Sequence, residues 1–455
     1  MTRGARYGRQ RFQGDLGMSD AAEAEGPDRP DGVKQLEKPK LLQILGPGLI
    51  TGASDDDPSG IATYSQAGAQ FGYDLAWTLL FAWPLMCAIQ EISARIGRVT
   101  GRGIAGNLKR HYPVAVVAVL VSLLVVANTI NLGADMGAMG AALHLVIGGP
   151  TLVWVAMFGI VSVLLEVFVR YARYVRVLKW LTLSLFAYVG VAFVVHMPWA
   201  EVARNTVIPH ISLKAGYLTV VVAILGTTIS PYLFFWQAEE EVEEVKERDD
   251  AKPLERAPEQ ATPEFGRIRI DTYLGMAFSE IVALFILITT AATLHAHGVT
   301  NIQTSSQAAL ALKPIAGQFV FLIFALGIIG TGLLALPVLA GSAAYALGEA
   351  FGWHVGLARK LGRARAFYGA ILAAFLIGGA LNFVHIDPIK ALFWSAVING
   401  VAAVPIMAMM MHLSSHRAAM GEFKLHVGLK AVGWLATLVM AVAAFGMFAT
   451  MGSGS

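Results

Sequence analysis

The chain has 455 residues, of which 56% are hydrophobic and only 14% are charged, and its formal net charge is +3. Soluble domains carry about 25% charged residues, so this composition excludes a water-soluble fold and predicts an integral membrane protein. The long apolar stretches described below make it an all-α one. The single cysteine, Cys87, excludes an internal disulfide framework, and the small net charge argues against a nucleic-acid partner.

The two ends of the chain differ from its apolar middle. Residues 1–40 are polar and rich in arginine at their start, and no apolar segment follows closely enough for a signal peptide. They predict a disordered cytoplasmic tail. Residues 41–450 predict one transmembrane domain, and residues 451–455 resemble an added tag.

A membrane-spanning helix needs about 20 apolar residues. Eleven stretches meet this requirement, at residues 42–70, 74–97, 113–142, 151–169, 177–197, 214–238, 271–295, 318–347, 366–384, 388–411 and 428–450. All but four of the 34 Lys and Arg residues lie in the tail or in the loops on its side; the exceptions are Arg204, Lys214, Lys313 and Lys390. Because Lys and Arg concentrate in cytoplasmic loops, we expect a cytoplasmic N-terminus and a multi-pass protein of the plasma (inner) membrane.

Two of these spans contain residues that interrupt a helix. Leu49–Gly60 places three aspartates and a proline inside the first span, and Leu225–Tyr232 places hydroxyls and a proline inside the sixth. Irregular backbone at membrane depth survives only where protein encloses it. The breaks lie five spans apart, which predicts inverted repeats at about 42–197 and 214–411, with helix 11 at about 428–450 added. Simple proline kinks are the alternative, chiefly for the sixth span.

The three aspartates are the strongest indication of function. A carboxylate at the membrane centre costs about 2.5–3.5 kcal/mol or more and is rarely retained without a role. Neighbouring side chains on a helix diverge, so at most one other aspartate is expected to join Asp57. We take Asp57 as a metal ligand and Asp56 as a supporting residue beside it, or else as one of two residues, with Asp55, that attract cations to the outer vestibule.

A run of acidic residues, Glu239–Glu244, follows the sixth span. A metal cluster is one interpretation of this run. Because Lys246 and Arg248 follow closely, the run predicts instead a solvated helix end with surface ion pairs.

Several motifs together resemble those of the NRAMP family of divalent-metal transporters. Gly46–Gly48, Asp57–Gly60 and Ala67–Tyr73 resemble the family's first span with its Asp-Pro-Gly-Asn signature. Ser93–Gly101 is similar to the end of the second span, and Asp271–Tyr273 opens the seventh span in the same way. The resemblance implies a LeuT-like fold of two five-helix inverted repeats, with helices 1 and 6 unwound.

The departures from these motifs are also informative. The family's Asp-Pro-Gly-Asn becomes Asp-Pro-Ser-Gly at Asp57–Gly60, which keeps the carboxylate and loses the asparagine. Its sixth-span Met-Pro-His becomes Ser-Pro-Tyr at Ser230–Tyr232, and its acidic pair in the third span aligns with Asp135 alone. This combination resembles the NRAMP-related magnesium transporters, a divergent branch of the family.

These substitutions imply a site for a hard cation. Methionine sulfur favours transition metals, whereas Mg²⁺ takes oxygen ligands and sheds its water reluctantly. The expected ligands are the Asp57 carboxylate, the Ser230 hydroxyl and carbonyls near Ser54 and Thr227, with room for water left at Gly60. We therefore expect import of partly hydrated Mg²⁺ by alternating access, with Mn²⁺ tolerated and no cofactor besides the transported ion.

Loss of the family's histidine also affects proton coupling. Proton-driven carriers use chains of His, Asp and Glu, and Tyr232 replaces that histidine, so we expect uptake without protons. Asp135, Glu91 and Glu280 are the alternative proton carriers, and Asn399 in span ten is a candidate for orienting a water of the hydrated ion. All four also fit a role in helix packing.

Other functions compete with this interpretation. A proton-coupled Mn²⁺/Fe²⁺ transporter of the NRAMP type would require a soft ligand. A Na⁺-coupled amino-acid carrier fits poorly, because three aspartates would repel the substrate carboxylate. A membrane-embedded hydrolase would need a motif such as His-Glu-x-x-His, which the sequence lacks. We expect a monomeric transporter in the lipid bilayer, not an enzyme.

Overall fold

The computed structural model describes residues 51–52, 54–169, 182–248, 250–357, 359, 361–384 and 386–452. Within these residues the regular secondary structure is entirely helical. The predicted tail at 1–40, the start of the predicted first span and residues 453–455 lie outside the described residues. The predictions made for those segments stay predictions.

Seventeen α-helices are present in the described residues. In chain order they are α1 (Pro58–Phe71), α2 (Ala76–Thr100), α3 (Ile104–His111), α4 (Val114–Ile147), α5 (Thr151–Phe168), α6 (Phe186–Val194), α7 (Trp199–Val207), α8 (Ala215–Thr228), α9 (Pro231–Glu247), α10 (Ala261–Thr293), α11 (Ser305–Ala309), α12 (Lys313–Ala316), α13 (Val320–Phe351), α14 (Arg365–Leu381), α15 (Pro388–Ser415), α16 (Arg417–Met420) and α17 (Val427–Gly452). Short 3₁₀ turns occupy Thr182–Leu185, Pro258–Gln260, His295–His297, Leu310–Leu312, Gly317–Phe319, Leu361–Arg363 and Asn382–Val384.

Nine helical segments in the described part of the chain are long and apolar enough to cross a membrane. They contain α2, α4, α5, α8 with α9, α10, α13, α14, α15 and α17, and a shorter apolar segment, Leu183–Val194, contains α6. These helices follow the predicted spans in order, and most of their ends agree within a few residues. The tenth predicted span, 388–411, corresponds to Pro388–Ser415, for example.

The ends of α9 and α10 differ most from the prediction. The sixth span was expected to end at 238 and the seventh to begin at 271, yet α9 continues to Glu247 and α10 begins at Ala261. Ion pairs between the extensions explain the added turns. Arg267 on α10 lies 2.5 Å from Glu241 and 3.2 Å from Glu244, both on α9.

The interpretation of Glu239–Glu244 as a solvated helix end is therefore wrong in part. Lys246 pairs with Glu243 at 2.9 Å and Arg248 with Glu244 at 3.2 Å, as surface pairs would. Glu239 and Glu241, however, are only 1% and 0% exposed, because the inward face of α9 packs against α2. A run of consecutive acidic residues does not reveal which of its side chains face inward.

Helix packing places the two predicted breaks at the centre of the bundle. α1 packs against α10, α8 against α15, and α9 against α2, while α4 lies against both α13 and α15. α8 and α15 are in backbone contact at Gly226. A Cβ atom added there would lie 2.1 Å from the Ala396 carbonyl oxygen and 2.5 Å from the Gly400 nitrogen. Small residues allow such close helix contacts inside membranes.

We expect Gly226→Ala to separate α8 from α15 and to lower stability by about 1–3 kcal/mol, the usual effect of overpacking. Gly369→Ala is the matched control, because Gly369 lies within α14 and no atom lies within 4 Å of an added Cβ. That change should leave stability unchanged or raise it by up to about 1 kcal/mol. Thermal unfolding of the purified variants in one detergent measures both effects. Equal melting temperatures would contradict the proposed contact.

Candidate metal-binding site

The first break lies directly before α1. Residues 51, 52, 54 and 55 are helical, Asp56 forms a bend, and Asp57 is extended with φ −68° and ψ 170°. Pro58 occupies the first helical position of α1. Proline fixes its own φ, lacks an N–H and disfavours a helical conformation in the residue before it, so the chain must leave the helix at Asp57. The backbone N–H of Gly60 donates to Asp57 Oδ1 at 2.7 Å, which caps the new helix.

The second break, between α8 and α9, has the same construction. Ser230 is extended, with φ −74° and ψ 138°, and Pro231 occupies the first helical position of α9. The Ser230 hydroxyl donates to the carbonyls of Gly226 at 2.5 Å and Thr227 at 2.9 Å. The proton of this hydroxyl therefore points back into α8, while the oxygen keeps its lone pairs for another partner.

Both oxygens of the buried Asp57 carboxylate accept hydrogen bonds from neutral groups. Oδ1 accepts from the Ser59 hydroxyl at 2.7 Å as well as from Gly60 N–H. Oδ2 accepts from Asn131 Nδ2 at 3.0 Å and from the Tyr232 hydroxyl at 3.2 Å. The donors come from α1, α4 and α9, so one carboxylate joins three helices.

Asn131 extends this contact to a fourth helix. Its Oδ1 accepts from the hydroxyl of Ser395 on α15 at 2.6 Å, and both side chains are completely buried. Asn131 did not enter the predicted site. The sequence feature that could have identified Asn131 is its position as a polar residue in an apolar span, one helical turn before Asp135.

The other two aspartates of the break face a different helix. The hydroxyl of Ser279 on α10 contacts a carboxylate oxygen of Asp55 and lies 3.1 Å from Asp56 Oδ1. Asp56, predicted to support the ligand, is therefore directed at α10, and neither aspartate contacts the Asp57 carboxylate through a hydrogen bond. The bend at Asp56 changes the direction of successive side chains, and a regular helix would not predict this direction.

The structure places the remaining predicted ligands around the break. The Ser54 carbonyl accepts from the Tyr232 hydroxyl at 3.3 Å. The Thr227 hydroxyl is buried and has no hydrogen-bond partner in the described residues. At Gly60 the expected room is absent: an added Cβ would lie 3.2 Å from Thr227 Oγ1 and 3.3 Å from the Tyr64 ring. The prediction of empty space at Gly60 is wrong, because neighbouring side chains fill it.

The predicted supporting and proton-carrying residues fall into two groups. Asp135, Asn399 and Glu280 are buried, and the polar side-chain atoms of all three lack hydrogen-bond partners within the described residues. Glu91 instead lies 2.6 Å from Arg95 one turn away on α2, in an ion pair. A paired carboxylate is poorly suited to carrying a proton, so the structure favours a packing role for Glu91.

The described residues contain no group of three or more His, Cys, Asp or Glu side chains that could hold a metal ion. A cation at Asp57 would therefore complete its coordination with hydroxyls, backbone carbonyls or water. These hard oxygen ligands suit Mg²⁺ and Mn²⁺ better than they suit softer metals.

Comparison with known proteins gives the family. Residues 48–450 match the family model described as natural resistance-associated macrophage protein-like. The divalent metal cation transporter MntH of Klebsiella pneumoniae subsp. pneumoniae is 25% identical over 400 residues, which cover 86% of this chain and 90% of that protein. MntH of Yersinia pestis is 26% identical over 306 residues, covering 66% and 71% respectively.

Solved structures share the fold. The manganese transporter of Eremococcus coleocola has a TM-score of 0.69 at 18% identity, covering 92% of this chain and 88% of that one. MhsT, solved in complex with L-phenylalanine, has a TM-score of 0.54 at 14% identity, covering 87% and 98%. At these identities the similarity concerns the fold alone.

The interrupted helices, the apolar bundle and these relatives define a transporter of divalent metal ions, not an enzyme. The chain belongs to the NRAMP family. It is accordingly a multi-pass protein of the plasma membrane, and the predicted resemblance to this family is confirmed.

We expect Asn131→Ala to weaken binding of the transported divalent metal ion by about 10–100-fold, the usual effect of removing a partner that orients a metal ligand. Asn128→Ala is the control, since Asn128 is buried on the same helix but donates to the Leu339 carbonyl and the Ser342 hydroxyl. It should lower the melting temperature without changing metal affinity. Titration calorimetry on both variants tests this, and equal affinities would remove Asn131 from the site.

Proposed function

We propose that this transporter imports Mg²⁺ by alternating access, tolerates Mn²⁺, and moves the ion partly hydrated and without protons. The hydrogen-bond set of Asp57 carries the proposal. The ligand is one carboxylate, and its partners Ser59, Gly60, Asn131 and Tyr232 supply only hydroxyl, amide and backbone N–H groups. Such a site presents one negative charge and only hard oxygen atoms to a cation, and Mg²⁺ prefers ligands of this kind.

Ser230 supports the choice of ion. Because its proton is used by the Gly226 and Thr227 carbonyls, its oxygen is left with lone pairs for a hard cation. A thioether at this position would favour transition metals over abundant Mg²⁺. A hydroxyl ligand does not distinguish Mn²⁺ from Mg²⁺ by its softness, so the protein should also carry Mn²⁺.

Retained water follows from the number of ligands available. Asp57, Ser230 and the carbonyls near Ser54 and Thr227 supply too few oxygens to replace a complete hydration shell at ideal octahedral geometry. Thr227 adds a further oxygen, since its buried hydroxyl lacks a hydrogen-bond partner in the described residues. At least one of the donors now on Asp57 must yield for the ion to enter; the Tyr232 hydroxyl makes the longest of the four contacts, at 3.2 Å, and Asn131 stays to orient the carboxylate.

The topology proposed for the whole chain is eleven spans with the N-terminus in the cytoplasm. Nine spans appear as apolar helices in the described residues. The two others, 42–70 and 177–197, are partly outside those residues and include α1 and α6. We propose the monomer as the working unit, with residues 1–40 as a cytoplasmic tail.

A proton-coupled Mn²⁺/Fe²⁺ transporter is the second candidate, and two observations favour it. MntH is named a divalent metal cation transporter, and the Eremococcus coleocola protein is named a manganese transporter. Asp135 and Glu280 are buried carboxyl groups without hydrogen-bond partners in the described residues, as proton carriers often are. Tyr232 in contact with Asp57 argues against coupling, because a phenol does not release a proton near neutral pH.

We expect Asp57→Asn to reduce Mg²⁺ uptake into proteoliposomes to the level of empty vesicles. Asparagine retains the helix cap but removes the charge that attracts the ion, so folding should persist. Asp74→Asn is the matched control, because Asp74 lies in the turn after α1 and outside the site. Uptake by Asp57→Asn at the rate of the control would move the site away from the first break.

We also expect Mg²⁺ influx through the unaltered protein to leave internal pH unchanged, because no titrating imidazole contacts Asp57 in the described residues. A pH-sensitive dye inside the vesicles, with Mg²⁺ or Mn²⁺ added outside, measures this directly. A membrane potential that is negative inside favours the entry of a divalent cation by about 4.6 kcal/mol per 100 mV. Mg²⁺ influx should therefore rise when this potential alone is increased. Acidification in proportion to the metal taken up would support the second candidate.

A further inference from the structure

A basic cavity lies on the surface where α13 ends and α14 begins. Its volume is about 430 Å³, and its lining includes Trp353, His354, Arg363 and Arg365. The imidazole and both guanidinium groups are exposed and make no hydrogen bond or ion pair within the described residues. Lys109 adds a fourth basic group, with its Nζ 3.2 Å from the position of a Cβ on Gly352.

Two buried tyrosines bind the backbone of Leu357 and Arg359, in the segment between His354 and Arg363. The Tyr345 hydroxyl accepts from the Leu357 N–H at 3.0 Å. The Tyr368 hydroxyl lies 3.2 Å from the Leu357 carbonyl and 2.9 Å from the Arg359 carbonyl. Side chains of α13 and α14 therefore fix the backbone at these two points, which limits the freedom that a ligand bound nearby must overcome.

Aromatic side chains place the cavity at the membrane surface. Phe351 and Trp353 are 66% and 37% exposed, and their rings stack with centroids 5.3 Å apart and an interplanar angle of 18°. They stand at the end of the membrane-spanning helix α13. Exposed tryptophan at such a helix end is typical of the headgroup region of a bilayer.

An apolar surface continues from the cavity along α14. Arg365, Gly369, Leu372 and Leu376 are exposed and follow the helical repeat, so they share one face. Leu372 and Leu376 lie about 10 and 16 Å along the helix from Arg365. These distances match the depth of one leaflet of hydrocarbon, about 15 Å. Both leucines also line an apolar cavity of about 410 Å³ that involves α5 and α14.

We propose that this surface binds one anionic phospholipid, with its phosphate headgroup in the basic cavity and an acyl chain along the exposed face of α14. Unpaired arginines recognise phosphate oxygens, and the apolar continuation below them distinguishes a lipid from free phosphate. The site lies on the side that the Lys and Arg distribution assigns to the cytoplasm, where bilayers carry anionic lipid. It is separate from the ion site at Asp57.

Native mass spectrometry of the full chain in detergent, with phosphatidylglycerol or phosphatidylcholine added, tests the proposal. The unaltered protein should retain phosphatidylglycerol in preference to phosphatidylcholine. Because each basic group near an anionic headgroup contributes about fivefold in affinity, R363Q/R365Q should weaken phosphatidylglycerol binding by roughly 25-fold. The matched control is R417Q/K424Q, which removes two exposed basic groups outside the cavity and should bind like the unaltered protein.

Three outcomes would overturn the proposal. Equal losses in R363Q/R365Q and R417Q/K424Q would mean that binding reflects overall charge. Displacement of phosphatidylglycerol by excess inorganic phosphate would identify the ligand as free phosphate. Unchanged phosphatidylglycerol binding in Leu376→Asn would remove the acyl-chain contact. Leu376 is 65% exposed and its substitution should leave the fold intact, which gel filtration checks.

Discussion

The hydrogen bonds around one buried carboxylate, that of Asp57, determine how the centre of this bundle is arranged. A charged group at membrane depth is costly unless several donors surround it. The break before Pro58 supplies two donors, because it frees the Gly60 N–H and places the Ser59 hydroxyl against the carboxylate. Asn131 and Tyr232, from two other helices, supply the rest. The same helix break therefore places the Asp57 carboxylate and supplies some of the hydrogen bonds that stabilise its charge.

The two breaks are alike in backbone and different in chemistry. In both, an extended residue precedes a proline at the first position of the following helix, so the local sequence determines where each helix ends. The first break contributes the Asp57 carboxylate and the second contributes the Ser230 hydroxyl. With a hydroxyl in place of a sulfur ligand, hard cations are not disfavoured, which connects one residue to the proposed choice of ion.

Features that depend on local sequence could be predicted, and features that depend on helix rotation could not. Apolar runs and prolines located the nine spans found in the described residues, both breaks and the position of Asp57. The contact between Asn131 and Asp57 joins residues 74 positions apart, and its formation depends on how α4 is rotated. The turn of Asp55 and Asp56 toward Ser279 depends on the bend itself. The filling of space at Gly60 and the burial of Glu241 against Arg267 likewise follow from packing between distant helices.

X-ray absorption spectroscopy of the Mn²⁺-loaded protein tests the central claim most directly, since it reports which elements coordinate the metal. The account predicts a first coordination shell made of oxygen alone, partly from water, that is lost when Asp57 is changed to Asn. A sulfur atom in that shell, or a metal shell unaffected by the change at Asp57, would contradict it.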